Sequence, residues 1–330
     1  MHTEPKQTPI NIRPNIVFLD GNTINNGDLD WAPLERLGAL TVYDRTSGEE
    51  IVERAKEADV VIINKTPLSE ATLQKLTRLK LVCVAATGYD VVDVKAARAL
   101  NIPVCNCAAY GTMGVAQMVV AHLLNVTNRV DHYAEACRKG EWKASKDFCF
   151  WHSPLRELDG QSIAIVGFGN IGRKVSEMLR PFGMKLFAVT SKEQRDLPAD
   201  VTKIGLEAAF ELCDVVSLNC PLTSENKEFV NRDLLQHCNP NLILINTARG
   251  KLVNSTDVAE ALKENRLGAY CTDVLEEEPP RGDQPLFSAP RCYVTPHIAW
   301  ATTEARRRII NILAENIEGF LHGTPVNQVN

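Results

Sequence analysis

Ionisable residues stand where apolar runs stop. Arg249 lies in Asn246-Thr247-Ala248-Arg249-Gly250, after Leu242-Ile243-Leu244-Ile245. Asp273 follows Gly268 to Cys271, with Glu276, Glu277 and Glu278 just beyond it and before Pro279. His297 closes Thr295-Pro296-His297, after Cys292-Tyr293-Val294. A guanidinium is a planar, permanent cation that holds a carboxylate by two parallel hydrogen bonds. An imidazole, with an unperturbed pKa of about 6.5, exchanges a proton near neutrality. A carboxylate beside it favours the protonated ring and fixes its orientation. Such a set suits delivery of a proton to a carbonyl oxygen next to a carboxylate while a hydride reaches the carbonyl carbon. Arg249 is therefore the candidate clamp, His297 the candidate acid/base and Glu278 its candidate partner, although spacing alone does not choose among the three glutamates. Each residue has a plain alternative: a surface arginine whose ion pair is worth ~0–1 kcal/mol, a solvated glutamate run, a histidine bonding a backbone carbonyl.

A hydride source is written in Val166-Gly167-Phe168-Gly169-Asn170-Ile171-Gly172. The apolar run Ile163 to Val166 predicts a strand that stops at Gly167. Ile171 to Leu179 predicts a helix, closed by Arg180-Pro181, and Lys185 to Val189 predicts a second strand. G-x-G-x-x-G between a strand and a helix points to a dinucleotide: one glycine makes the turn, one admits the pyrophosphate, one packs helix on strand. The helix start offers unpaired N–H groups to that pyrophosphate. In a parallel sheet every one of these strand ends falls on the same carboxyl edge, so topology gathers the chemistry.

The elements that must position these groups alternate along the whole chain. Ile16 to Leu19, Leu40 to Tyr43, Val60 to Ile63, Leu81 to Val84 and Pro103 to Cys105 predict five strands, with helices over Glu49 to Ala58 and, capped by Ser69, Glu70 to Thr77. The loop Ala85 to Asp90 leaves the fourth strand at the ligand-binding edge. Val215 to Leu218, ending at Asn219-Cys220-Pro221, adds a strand to the second domain. The fold class is α/β, with two doubly wound parallel-sheet domains. A helix over Thr112 to Asn128 is apolar around much of its girth and must be covered on most sides, between domains or against a second subunit. His132 to His152 then clusters Trp142, Phe148, Phe150 and Trp151, a lid, a subunit contact or packing under a long loop.

Composition narrows the class. A length of 330 residues fits two domains, and a net charge of -5 gives no reason to expect nucleic acid or an anionic membrane as partner. No run has the apolar length of a membrane span, and Met1 to Pro14 reads as a loose polar tail without the apolar core of a signal peptide. Ten cysteines lack paired metal-ligand spacing and lie mostly in apolar runs, so reduced, buried thiols in the cytoplasm are expected, with no metal.

Five segments in this order carry a resemblance: Val166 to Gly172, Cys220-Pro-Leu-Thr223, Ile245-Asn-Thr-Ala-Arg-Gly-Lys-Leu-Val253, Asp273-Val-Leu-Glu-Glu-Glu-Pro279 and Thr295-Pro-His-Ile-Ala-Trp300. From about Ile16 to Pro325 the chain resembles the D-isomer-specific 2-hydroxyacid dehydrogenases. The resemblance implies a Rossmann domain, residues 111–297, inserted into a flavodoxin-like substrate domain, residues 1–110 and 298–330, that the helix Thr303 to Leu321 completes. It implies Arg249, Glu278 and His297 as the catalytic set and Thr87 and Gly88 at the substrate carboxylate. It places Thr112, Gly167, Gly169, Asn170, Ile171, Gly172, Cys220, Pro221, Thr247, Ala248 and Asp273 about an NAD(H) or NADP(H) cofactor, which Arg249 and His297 also face. It implies a homodimer built on the Trp142 segment and the helix from Thr112. Val104 to Thr112 and the Glu278-to-His297 spacing are most similar to glycerate dehydrogenases, also called hydroxypyruvate reductases, with glyoxylate as second substrate. Relatives normally end the second cofactor-domain strand with an acid for the ribose diol of NAD; Thr190, Ser191 and Lys192 stand here instead, so NADPH is expected to be accepted. Alternatives of similar architecture are a D-lactate or phosphoglycerate type of dehydrogenase and a nicotinamide-sensing corepressor-like binding protein, the last disfavoured by the short tail.

Overall fold

Continuous apolar runs become strands because helices cover both faces of a parallel sheet, leaving no solvent face to alternate with. The computed structural model describes residues 13–330, so the expected tail over Met1 to Pro14 falls almost wholly outside the described residues. Two compact units are present, one of residues 13–111 with Trp300–Asn330 and one of Thr112–Ala299.

The first unit holds β1 (Asn15–Phe18), β2 (Ala39–Val42), β3 (Val60–Ile63), β4 (Leu81–Val84) and β5 (Val104–Asn106), all parallel in the order β2-β1-β3-β4-β5. That is the flavodoxin-like order. The helix Thr303–Leu321, whose N-cap Thr302 accepts from Ala305 N, buries Ile309, Ile310, Leu313 and Ile317 against Ile16, Phe18, Ile62 and Cys83. Helices on the other face are shorter than expected, Ile51–Ala55 and Glu70–Leu73, the second capped by Ser69. Residues 327–329 bind along β5 through Val329 N to Val104 O (2.8 Å) and Asn106 N to Asn327 O (3.1 Å), a pairing no local pattern announces.

The second unit holds β6 (Ser162–Val166), β7 (Lys185–Val189), β8 (Val201–Lys203), β9 (Val215–Leu218), β10 (Ile243–Asn246), β11 (Ala269–Thr272) and β12 (Cys292–Val294). All are parallel, in the order β12-β11-β10-β9-β6-β7-β8. The order reverses between β6 and β9, where open α/β sheets bind ligands. β8 is an addition to the sequence reading, an edge strand of three residues with only Val201 buried. The helix Thr112–Asn128 sets Ala116, Val119 and Leu123 into the core beside Val175 and Ile245. Its expected burial on most sides is not reached within the chain, where Met113 is 48% exposed. Trp142, Phe148 and Trp151 are likewise exposed, while Phe150 meets Tyr133 edge-on.

All ten cysteines are unpaired. Burial pushes the Cys105 and Cys213 thiols up to about 11, which suits apolar filler rather than nucleophiles. No helix among the described residues is long and apolar enough to cross a membrane.

Candidate active site

The glycine turn leaves β6 at the carboxyl edge of the seven-stranded sheet. Gly167 has φ 92, and a Cβ on it would lie 2.6 Å from Cys220 N in the chain leaving β9. A Cβ on Gly172 would lie 2.2 Å from Gly167 O, so helix and turn touch only because that carbon is absent. At Gly169 a Cβ would meet nothing within 4 Å. The helix Asn170–Leu179 begins there without a side-chain cap, so its first N–H groups keep their capacity for an anion. Beside the turn opens a pocket of about 610 Å³, lined by Gly167, Gly169, Thr190, Ser191, Lys192, Cys220 and Pro221 among others. Asn170 and Ile171 open the helix after the turn, exposed and half-buried respectively. Lys192 N donates to Thr190 Oγ1 (3.2 Å), and Thr190, Ser191 and Lys192 bring no carboxylate to the end of β7. Asn219 Oδ1 and Thr247 Oγ1, at the ends of β9 and β10, are buried without a hydrogen-bond partner. Buried polar atoms are rarely left so, and a polar ligand at these strand ends would supply the missing partner. Pocket, bare helix terminus and orphaned oxygens together fit a dinucleotide.

Arg249 follows β10 on a turn that Asn246 builds. Fully buried, Asn246 accepts from Ala248 N (3.0 Å) and donates to Arg249 O (2.9 Å). A Cβ on Gly250 would lie 1.9 Å from Leu275 C, so only glycine lets this turn pack on the chain leaving β11. The Arg249 guanidinium is exposed and, among the described residues, donates to its neighbour's carbonyl, Ala248 O, at 2.8 Å.

The three glutamates have separate partners. Glu276 accepts from Ser255 N (3.2 Å) at the start of the helix Ser255–Lys263, and Glu277 pairs with Arg281 (3.3 Å). Glu278 Oε2 meets His297 Nδ1 at 2.5 Å, and its Oε1 accepts from Leu275 N (2.8 Å). The alternatives left open by spacing thus reduce to one. A carboxylate on Nδ1 makes that nitrogen the donor and leaves Nε2 as the atom that gives and takes a proton.

Asp273, 1% exposed, holds the loop that carries His297. Its Oδ1 accepts from Thr295 Oγ1 (2.6 Å) and Ile298 N (2.9 Å), and its Oδ2 from Ala299 N (2.7 Å). His297 sits at φ 55, a region that a β-carbon disfavours, and these bonds on the next two residues keep it there. Behind the loop, buried His122 faces Thr295 Oγ1 at 3.3 Å. Since that hydroxyl gives its hydrogen to Asp273, His122 is the donor. Burial holds His122 below its ordinary pKa, against the opposing charge of Asp273.

Arg249, Asp273, Glu278 and His297 thus leave neighbouring strands β10, β11 and β12 of one sheet. Thr112 begins the helix Thr112–Asn128 in the same unit, and Ala248 is half-buried beside Thr247. Thr87 and Gly88 belong to the first unit, in the loop after β4, where Thr87 Oγ1 donates to Cys107 O (3.0 Å). Asn246, His122 and Thr295 were not singled out from the sequence as positioning groups. Buried asparagine and histidine carry no local signature, and only their partners reveal them.

Residues 120–299 match the family described as D-isomer specific 2-hydroxyacid dehydrogenase, NAD binding domain. The chain is 40% identical over 319 residues to a hydroxypyruvate reductase of Blautia hydrogenotrophica, covering 96% of this chain and 99% of that one. It is 38% identical over 290 residues to a glycerate dehydrogenase of Methylorubrum extorquens, covering 87% of this chain and 90% of that one. A solved structure of an acyclic imino acid reductase in complex with NADPH and D-Arg superposes with a TM-score of 0.81 at 27% identity, covering 96% of this chain and 100% of that one. The chain belongs to the D-isomer specific 2-hydroxyacid dehydrogenase family, and it is a nicotinamide-dependent oxidoreductase that moves a hydride between its cofactor and a 2-hydroxy acid.

Proposed function

We propose that this enzyme reduces hydroxypyruvate to D-glycerate, takes glyoxylate as a second substrate and prefers NADPH. The observation that carries the reading is the Glu278–His297 pair at 2.5 Å on the sheet edge that also bears the glycine turn. Two curated relatives named for this chemistry support the substrate. When bound, the reduced nicotinamide supplies the hydride. Arg249 binds the substrate carboxylate and keeps the 2-keto group oriented. His297, oriented by Glu278, gives its Nε2 proton to the carbonyl oxygen, and the imidazole left behind is the base for the reverse reaction. Asp273 keeps the imidazole in place through the backbone beside it. The first unit is the substrate domain, with Thr87 and Gly88 as its substrate-binding loop, and the second is the cofactor domain.

The hydroxyls of Thr190 and Ser191 and the ammonium of Lys192 suit a 2′-phosphate, which an acid in their place would repel. Thr112, Gly167, Gly169, Asn170, Ile171, Gly172, Cys220, Pro221, Thr247 and Ala248 complete the cofactor contacts. The half-exposed face of the helix Thr112–Asn128, with exposed Trp142 and Trp151, supports a homodimer. Ten unpaired cysteines support a reducing, cytoplasmic setting. A spectrophotometric panel of hydroxypyruvate, glyoxylate, pyruvate and phenylpyruvate, each with NADH and NADPH, tests the reading. Hydroxypyruvate with NADPH is expected to give the highest kcat/KM. Faster turnover of pyruvate or phenylpyruvate, or a strong NADH preference, overturns the corresponding part.

A further inference from the structure

β5 ends at Asn106, opposite Val84 at the end of β4. Three bonds join the two strand exits: Cys107 N to Ala86 O (3.0 Å), Thr87 Oγ1 to Cys107 O (3.0 Å) and Asn106 Nδ2 to Thr87 O (2.8 Å). The first two fix the course of the loop. The third acts on a single peptide, the one that leads from Thr87 into Gly88. A trans peptide is planar, and its C=O and N–H point in opposite directions. Holding Thr87 O toward Asn106 therefore turns Gly88 N–H to the far side of that peptide. No group among the described residues accepts from Gly88 N.

Without a β-carbon, residue 88 turns about φ at little cost, so this peptide would flip readily if its carbonyl had no partner. The Asn106 amide supplies that partner from a fixed position. Asn106 is buried; its N donates to Asn327 O (3.1 Å) and its O accepts from Asn316 Nδ2 (3.0 Å). Asn316, fully buried in the helix Thr303–Leu321, accepts in turn from Asn327 Nδ2 (2.8 Å). Asparagines from a strand, a helix and the segment paired with β5 thus form one chain of bonds that ends on the carbonyl beside Gly88. An aspartate at 106 would set an acceptor against that carbonyl. A substrate carboxylate is acceptor-only and needs the opposite, a donor held in place.

We propose that Asn106 is a positioning residue for substrate binding: its amide fixes the Thr87–Gly88 peptide so that Gly88 N–H stays turned outward as a donor for the substrate carboxylate, and Asn316 holds Asn106 in register. This rests on Thr87 and Gly88 being the substrate-binding loop. Asn106 touches neither substrate nor cofactor and takes no part in proton transfer.

The test compares the full-length enzyme with Asn106→Ala and Asn106→Asp in KM and kcat on hydroxypyruvate and glyoxylate, in Kd for NADPH by fluorescence titration, and in Tm. Both keto acids carry the same carboxylate, so KM is expected to rise about tenfold or more on each, as for loss of a hydrogen bond to a charged group. With binding lost rather than chemistry, kcat is expected to stay within about threefold, and so is Kd for NADPH, whose contacts lie in the other unit. Asn106→Asp keeps the shape without the donor and should match Asn106→Ala. A lowered Tm with an unmoved KM, a wild-type KM in Asn106→Asp, or an equal loss of NADPH affinity overturns the proposal. Should neither variant fold, Asn316→Ala decides: it leaves the Asn106 amide in place but loosens its support, and a KM raised about threefold or more supports the proposal while an unmoved KM overturns it. Gly88→Asp separates the two readings. It sets a carboxylate on the loop, and a wild-type KM in that variant overturns the substrate-loop reading itself, whereas a raised KM there beside unmoved Asn106 variants overturns only the role of Asn106.

Discussion

Replacing Glu278 by Gln tests the proton relay with little change in shape. The amide oxygen can keep the 2.8 Å bond from Leu275 N, so the loop stays in place. Its NH₂ then faces His297 Nδ1, which must become an acceptor. The neutral ring then carries its hydrogen on Nε2, the wrong tautomer for taking a proton from an alcohol, and protonating the ring would set two donors against each other. A hydrogen bond to a charged group contributes about 1.5–3 kcal/mol, and with the two side chains 36% and 34% exposed solvent screens part of it. A loss of about 1.4–2.8 kcal/mol is a ten- to hundredfold fall in kcat, expected in both directions with KM changed much less. Steady-state rates in both directions, beside a thermal melt of the variant, are the assay. An unchanged kcat, with or without a lowered Tm, would refute the relay and leave Glu278 a structural residue.

Three further outcomes are expected. Thr190→Asp puts a carboxylate on the pocket wall and should lower the NADPH-to-NADH ratio of kcat/KM about ten- to hundredfold, the scale of a like-charge contact near a protein surface; an unchanged ratio would place the 2′-phosphate elsewhere. Asp273→Asn turns an amide NH₂ toward donors, should cost about 2–4 kcal/mol and should lower Tm in a thermal melt together with kcat; a wild-type melt would contradict its clamping role. His122 is held neutral by burial, so above its unfolded pKa of about 6.5 it costs nothing. As pH falls below that value the unfolded chain gains a proton that the fold resists, and stability declines until the lower folded pKa is passed. Denaturation between pH 7.5 and 5 should show a shallower decline in His122→Gln than in wild type, the difference reaching at most about 1.4 kcal/mol per pH unit; parallel curves would mean the ring titrates freely.

Much of the fold was legible because its signals are local. Runs such as Val60 to Ile63 and Leu242 to Ile245 stay apolar at every position, which only a doubly covered strand tolerates. The glycines at 167, 169 and 172 announce a turn, and Ser69 announced its cap. β8 was missed because three residues with a single buried one carry no periodicity. The shorter first-unit helices show turns ending earlier than composition suggests, since packing decides where a surface helix stops. The cover expected around the helix Thr112–Asn128 is incomplete within the chain because apolar composition says that a face must be buried without saying by what.

Residue types and run boundaries by themselves determined two α/β domains, a dinucleotide turn, and an arginine, acids and a histidine at strand ends. Tertiary structure alone decided which glutamate meets His297 and that Asp273 clamps the backbone beside it. The physical reason is sequence distance. Glu278 and His297 are 19 residues apart and Asp273 and Ala299 26, and neither pair belongs to one local element. Their meeting depends on which strands lie side by side and in what register, and a charge at the end of a strand carries no mark of the partner that the next strand will bring to it.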